Sequence, residues 1–224
     1  MTTNRTIAIA VATLVAVGLG YWVYGAQQKR ETQTATVALI ADIADRLRQS
    51  LIAEAASPPA IRTRRMATLD NEAAAADQAL QTLKALKAPG NQALVDAADD
   101  YLLTSREILK KLADSNRYRA MLDDSSQALR EHMRSRSRSG AWVQDAVKAR
   151  ERVNQDLRGY TTAAEVSGKL LESLAASQKR IAPYVGKQAL IADDIVAKAG
   201  ERVLRDLQQT TAEMEKTRLP DAFR

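Results

Sequence analysis

An all-α protein, in which one N-terminal transmembrane helix continues into an elongated antiparallel helical bundle or coiled-coil hairpin, is the fold that three observations predict. Thr6 to Ala26, TIAIAVATLVAVGLGYWVYGA, contains no charged residue. Beyond it, apolar residues recur at spacings of three and four over long stretches, the period of a helix with one buried face. The 224 residues include only 9 Gly and 5 Pro, and with 4% aromatics they suit a slender bundle better than a bulky globular core.

The uncharged run is long enough, at about 1.5 Å per residue, to cross the roughly 30 Å of a bilayer's hydrocarbon core. A cleaved signal peptide has a shorter apolar region ending in a small-x-small site. Here the run continues through Tyr21, Trp22, Val23 and Tyr24, and cleavage after Gly18-Leu19-Gly20 would leave the aromatic cluster unexplained. A retained signal-anchor explains it, because Tyr21, Trp22 and Tyr24 suit the membrane interface while Lys29 and Arg30 reach headgroup depth. Positive charge nearly ties across the segment, with Arg5 and the terminal amine facing Lys29 and Arg30. The short, acid-free basic start reads as an export signal. It puts the N-terminus in the cytoplasm and the body on the periplasmic side of the inner (cytoplasmic) membrane, as a single-pass protein. Without cysteine, that body is held by packing alone.

After the flank at residues 1–5 and the anchor at 6–26, residues 27–220 divide into five helices, at about 31–57, 59–87, 91–138, 141–182 and 187–218, with a frayed tail at 221–224. Val37, Ile40, Ala44, Leu47 and Leu51 form the first stripe, and no Pro or Gly separates it from Ala26, so anchor and first helix read as one rod. Ser57-Pro58-Pro59 ends it. Leu69, Ala73, Ala76, Leu80 and Leu83 form the second stripe, which Ala88-Pro89-Gly90 stops. The third helix carries Leu94, Ala98, Tyr101, Ser105, Ile108, Leu112, Ser115, Arg119, Leu122, Ser126, Leu129 and Met133. Its unbroken four-three alternation argues for coiled-coil packing, with a seam made polar by Ser115, Arg119 and Ser126. The fourth presents Val143, Ala146, Val153, Leu157, Tyr160, Ala164, Leu171, Leu174 and Ile181, interrupted by Gly159 and Gly168, which mark close helix contact or bending. The fifth presents Val196, Ala199, Val203, Leu207 and Met214. Short connections make successive helices antiparallel neighbours. The long third helix is then expected to project beyond the first hairpin with only the fourth beside it.

No catalytic, cofactor or metal motif emerges. His132 is the one histidine and reads as a solvated helix residue; there is no Cys, no Gly-rich phosphate loop and no nucleophile elbow. The net charge of +6 drops to +3 for the body once Arg5, Lys29 and Arg30 are set aside, too little to argue for nucleic acid. The alternating Arg134, Arg136 and Arg138 at the distal turn offer a basic tip for an acidic partner, or simply a solvated helix end. Trp142 either stacks on a ligand there or packs across the turn. Arg62, Arg64 and Arg65 make a second basic cluster, and Asp96, Asp99 and Asp100 complement the third helix's N-terminal dipole.

The expected function is that of a non-enzymatic structural or adaptor protein of the cell envelope, held in the membrane by residues 6–26, whose rod binds other envelope proteins or itself. A membrane-tethered antiparallel bundle also looks like the periplasmic sensing domains of chemoreceptors and histidine kinases, in architecture and in no specific residue. That likeness implies an extracytoplasmic sensor signalling through a partner membrane protein, since no second apolar run follows Ala26.

Overall fold

The computed structural model describes residues 3–58, 61, 63–86, 91–135, 139–186 and 190–216, with side chains from residue 26 onward except those of Thr63 and Lys216. Among them the architecture is all-α, without strands: α1 (Thr3–Ala56), a 3-10 turn (Thr63–Arg65), α2 (Met66–Ala85), α3 (Gln92–Arg134), α4 (Gly140–Ile181) and α5 (Asp193–Lys216). α1 is a single helix of 54 residues, unbroken through the uncharged run and into the bundle. No helix among the described residues is long and apolar enough to cross a membrane. The proposed anchor lies outside that description, because side chains are described only from Ala26 on; Tyr21, Trp22 and Tyr24 fall with it, whereas Lys29 and Arg30 are exposed.

Ion pairs and hydrogen bonds fix the order of the helices. Arg46 of α1 holds Glu72 of α2 at 2.9 Å, and Arg65 reaches Glu54 at 3.4 Å, so α2 runs back along α1. Arg106 and Lys110 of α3 clamp Asp77 at 2.9 and 3.2 Å, while Arg117 reaches Asp70 at 3.1 Å, so α3 reverses again. Between α3 and α4, Thr104 meets Ser177 at 3.3 Å and Asp100 meets Arg180 at 2.9 Å. At the far end His132 meets Trp142, which makes α3 and α4 an antiparallel hairpin over their whole length. Asp100 therefore ties two helices together and Asp96 accepts from Gln92 at 2.7 Å, and neither lies in the first turn of α3, where the sequence suggested a dipole role.

The core follows from the stripes. Ile40, Leu47, Leu51, Leu69, Leu83, Leu94, Leu102, Ile108 and Leu109 are all buried, and Leu171, Leu174 and Ile181 close it from α4. Alanine at Ala73, Ala76, Ala98 and Ala113 lets these helices approach closely, so little aromatic volume is needed. α2 and α5 start later than the expected 59 and 187. The chain before α2 winds through the 3-10 turn, where Arg65 is drawn towards the buried Glu54. Before α5, Ile191 is buried and its N–H donates to Gln178 Oε1 at 2.7 Å, which keeps the segment out of the helix until Asp193.

The distal half departs from the expected two-helix hairpin. α5 starts where Leu190 O accepts from Arg48 at 3.3 Å, packs against α1 and α4, and runs towards the tip, reaching α3 through side chains. Arg119 donates to Thr210 and pairs with Glu213, and Ser126 approaches the Met214 sulfur at 3.6 Å. Arg119 and Ser126 of the polar α3 seam thus face a third helix. Periodicity showed that the seam was polar but could not say what it would meet.

Candidate functional site

The distal end is where the polar features of the chain converge. α3 ends in a turn whose backbone closes when Ser135 N–H donates to Glu131 O and His132 O. α4 is started by Ser139, whose extended backbone and hydroxyl make an N-cap accepting from Trp142 N–H at 3.2 Å. That cap places Trp142 one turn into α4, directly across from His132. Their rings stack at 5.0 Å and 15°, the indole Nε1 donates to His132 O and to Ser135 Oγ, and His132 Nε2 bonds Trp142 O at 2.9 Å. His132 is therefore a half-buried partner in a clasp and not a solvated residue. Trp142 fastens the turn, and the face it offers a ligand is the one the histidine leaves free.

Arg134 is exposed in the last turn of α3, where its charge complements the helix dipole. Arg136 and Arg138 lie outside the described residues. Of the second basic cluster, Arg65 is drawn towards Glu54 and Arg64 is exposed, while Arg62 is likewise outside the description.

Below the clasp, α3, α4 and α5 line a half-open cavity of about 530 Å³, within the range of small-molecule sites. Its apolar lining comes from Leu129 and Met133 of α3, Val153 and Leu157 of α4, and Met214 of α5. Arg130, Arg134, Arg150 and Arg158 line it too, against the single carboxylate of Glu215. Val153 is buried and Arg130, Arg134 and Arg158 are exposed, so the guanidiniums stand towards solvent around an apolar interior. Arg130, Arg150 and Arg158 are additions to the tip residues read from the sequence. Their signal was present: Arg130 and Arg134 are four apart and Arg150 and Arg158 eight apart, each pair on one face of its helix. Only the antiparallel register of α3 and α4 joins the two pairs.

Arginine stays protonated and supplies donors in a rigid fork, so this arrangement binds anions and transfers no protons. A second, more open groove of about 870 Å³ runs between α4 and α5 past Leu171, Ile191 and Leu204. Its charges are mixed, with Glu172 and Glu201 facing Lys169 and Lys179. Among the described residues no group of acidic, histidine or cysteine side chains is arranged to hold a metal.

The fold and this end together define a class: a helical rod with a cationic, pocketed tip. No protein-family model, curated protein or solved structure matches the chain.

Proposed function

We infer that this is a single-pass, membrane-anchored, non-enzymatic structural or adaptor protein of the cell envelope, whose helical rod mediates interaction with other envelope proteins or with itself. The observation that carries the reading is the continuity of α1 from Thr3 to Ala56. A bilayer holding residues 6–26, with Tyr21, Trp22, Tyr24, Lys29 and Arg30 at its interface, then fixes the direction of the bundle as well as its location. The N-terminus is cytoplasmic and the body extracytoplasmic at the inner membrane. The tip at Arg134, Arg136, Arg138 and Trp142 docks an acidic partner surface, and nucleic acid is not a target.

Single cysteines placed along α3 and α4 of the full chain, crosslinked in membranes, test this. Adducts to a neighbour or a second copy should appear, and changing Arg134, Arg136 and Arg138 to Ala should remove those near the tip. A chain that crosslinks to nothing along its length contradicts the reading. A flexible linker inserted near Gln27 should leave folding intact and impair any function that depends on reach.

A sensor that signals through a partner membrane protein is the second reading. The cavity between α3, α4 and α5 favours it, because a ligand there would touch all three helices of the distal rod.

A further inference from the structure

Four guanidiniums around one cavity are an unusual local arrangement of charge. Among the described residues none of Arg130, Arg134, Arg150 and Arg158 is ion-paired, although Glu215 lines the same cavity. At the helix contacts lower in the rod, by contrast, Arg46, Arg106, Arg117 and Arg180 each hold a carboxylate of another helix at 2.9 to 3.1 Å. Like charges one turn apart, as at Arg130 and Arg134, repel and oppose folding. Beneath them lie Leu129, Met133, Val153, Leu157 and Met214, with Met133, Leu157 and Met214 half-buried and Ser126 at 3.6 Å from the Met214 sulfur.

We propose that this cavity binds a small anionic amphiphile, a molecule with a carboxylate, sulfonate or phosphate head and a compact apolar body. The guanidiniums hold the head by charge-assisted, bidentate hydrogen bonds, which arginine makes better than lysine. The body lies against Met133, Val153, Leu157 and Met214, and the thioether side chains adapt to its shape. A bare anion would leave the apolar lining wet, and a neutral hydrophobe would leave the guanidiniums uncompensated. Only a molecule with both parts matches both observations. The inference goes beyond adaptor function and needs no membrane orientation. A fatty-acid anion and a soluble aromatic acid share this chemistry.

The test is calorimetric titration of the full chain in nanodiscs with naphthalene-2-sulfonate and with decanoate, corrected against empty nanodiscs. One saturable site is expected, for which the two compete. The relative affinity of the two separates a lipid source from a soluble one. Arg150→Gln with Arg158→Gln should weaken binding at least about tenfold, since each lost hydrogen bond to a charged group costs that order. Both residues lie on α4, so Arg134 and the tip remain as they are. Leu157→Gln should weaken it as well, with helicity and the unfolding midpoint of each variant reporting that the rod is intact. The cationic analogue 2-(aminomethyl)naphthalene should not compete. Equal binding of that cation, equally tight binding of inorganic phosphate, or unchanged affinity in the arginine variant each overturns the proposal. So does binding of poly-glutamate in the absence of any saturable site for the small anions, which would leave the tip's docking role standing.

Discussion

Gly159 and Gly168 read alike in the sequence, each a helix-interior glycine at a cost of about 1 kcal/mol relative to alanine. Their surroundings separate them. A methyl at Gly159 would lie 2.5 Å from Cδ1 of Tyr118, whereas one at Gly168 meets nothing within 4 Å. Gly168→Ala should therefore raise the urea unfolding free energy by up to about 1 kcal/mol. Gly159→Ala should lower it, because the Tyr118 ring must leave α4, and in a Tyr118→Ala background the same change should become stabilising. Tyr101 poses a different problem at the same scale. It is fully buried, yet its hydroxyl has no hydrogen-bond partner among the described residues, and Ser105 donates instead to the Tyr101 carbonyl oxygen. Tyr101→Phe should thus be neutral or stabilising, while Tyr101→Ala should cost about 3–5 kcal/mol through the cavity it leaves. Burial pushes the Tyr101 phenol up to about 12. A folded pKa above the unfolded value of about 10 means that this contribution is fully present below that pH and is lost as pH rises through the folded value. The unfolding midpoint of Tyr101→Phe should accordingly fall less between about pH 10 and 12 than that of the parent.

At the scale of elements, α3 and α5 contrast. α3 buries Leu102, Ile108, Leu109 and Leu112 at the centre of the bundle. α5 buries only Ala199 among its apolar residues, and its Val196, Val203, Leu207 and Met214 stay half-buried while Asp206 and Thr210 supply buried polar contact. Opening α5 should expose less apolar surface, so its amides should exchange hydrogen sooner than those of α3 between Leu102 and Ala113. Arg119 anchors α5 through Thr210 and Glu213 and also lies over the Tyr160 ring at 6.0 Å. Arg119→Met should accelerate exchange in α5 while leaving the lower part of α3 protected; uniform acceleration would contradict this placement. These elements also mark how far the sequence could be read. The stripes of α2 and α3 were legible because spacing alone sets which face a helix buries. The neighbour of a polar seam was not, because Arg119 and Ser126 carry no record of which helix they meet. The clasp was legible on one side: an aromatic one turn after a tight connection, as at Trp142, packs across it, but its partner His132 read as solvated because the stacking depends on the turn closing. The anion cavity was half legible: the paired arginines can be seen on each helix, but their convergence needs the register between helices.

The whole molecule is governed by the lengths of its helices. α3, with its 43 residues, spans about 65 Å at 1.5 Å per residue. α1 and α2 brace its lower part and α5 its upper part, so the rod keeps three or more helices in section over most of that length instead of thinning to a hairpin. Such a rod transmits direction from one end to the other, which is why the continuity of α1 carries the proposed function. The proposed function requires that residues 6–26 anchor the chain with the body outside the cytoplasm, which a reporter fused after Arg224 in living bacteria tests. Alkaline phosphatase there should be active and a cytoplasm-dependent fluorescent protein dark; an inactive phosphatase with a bright fluorescent fusion would put the body in the cytoplasm and overturn the proposed topology.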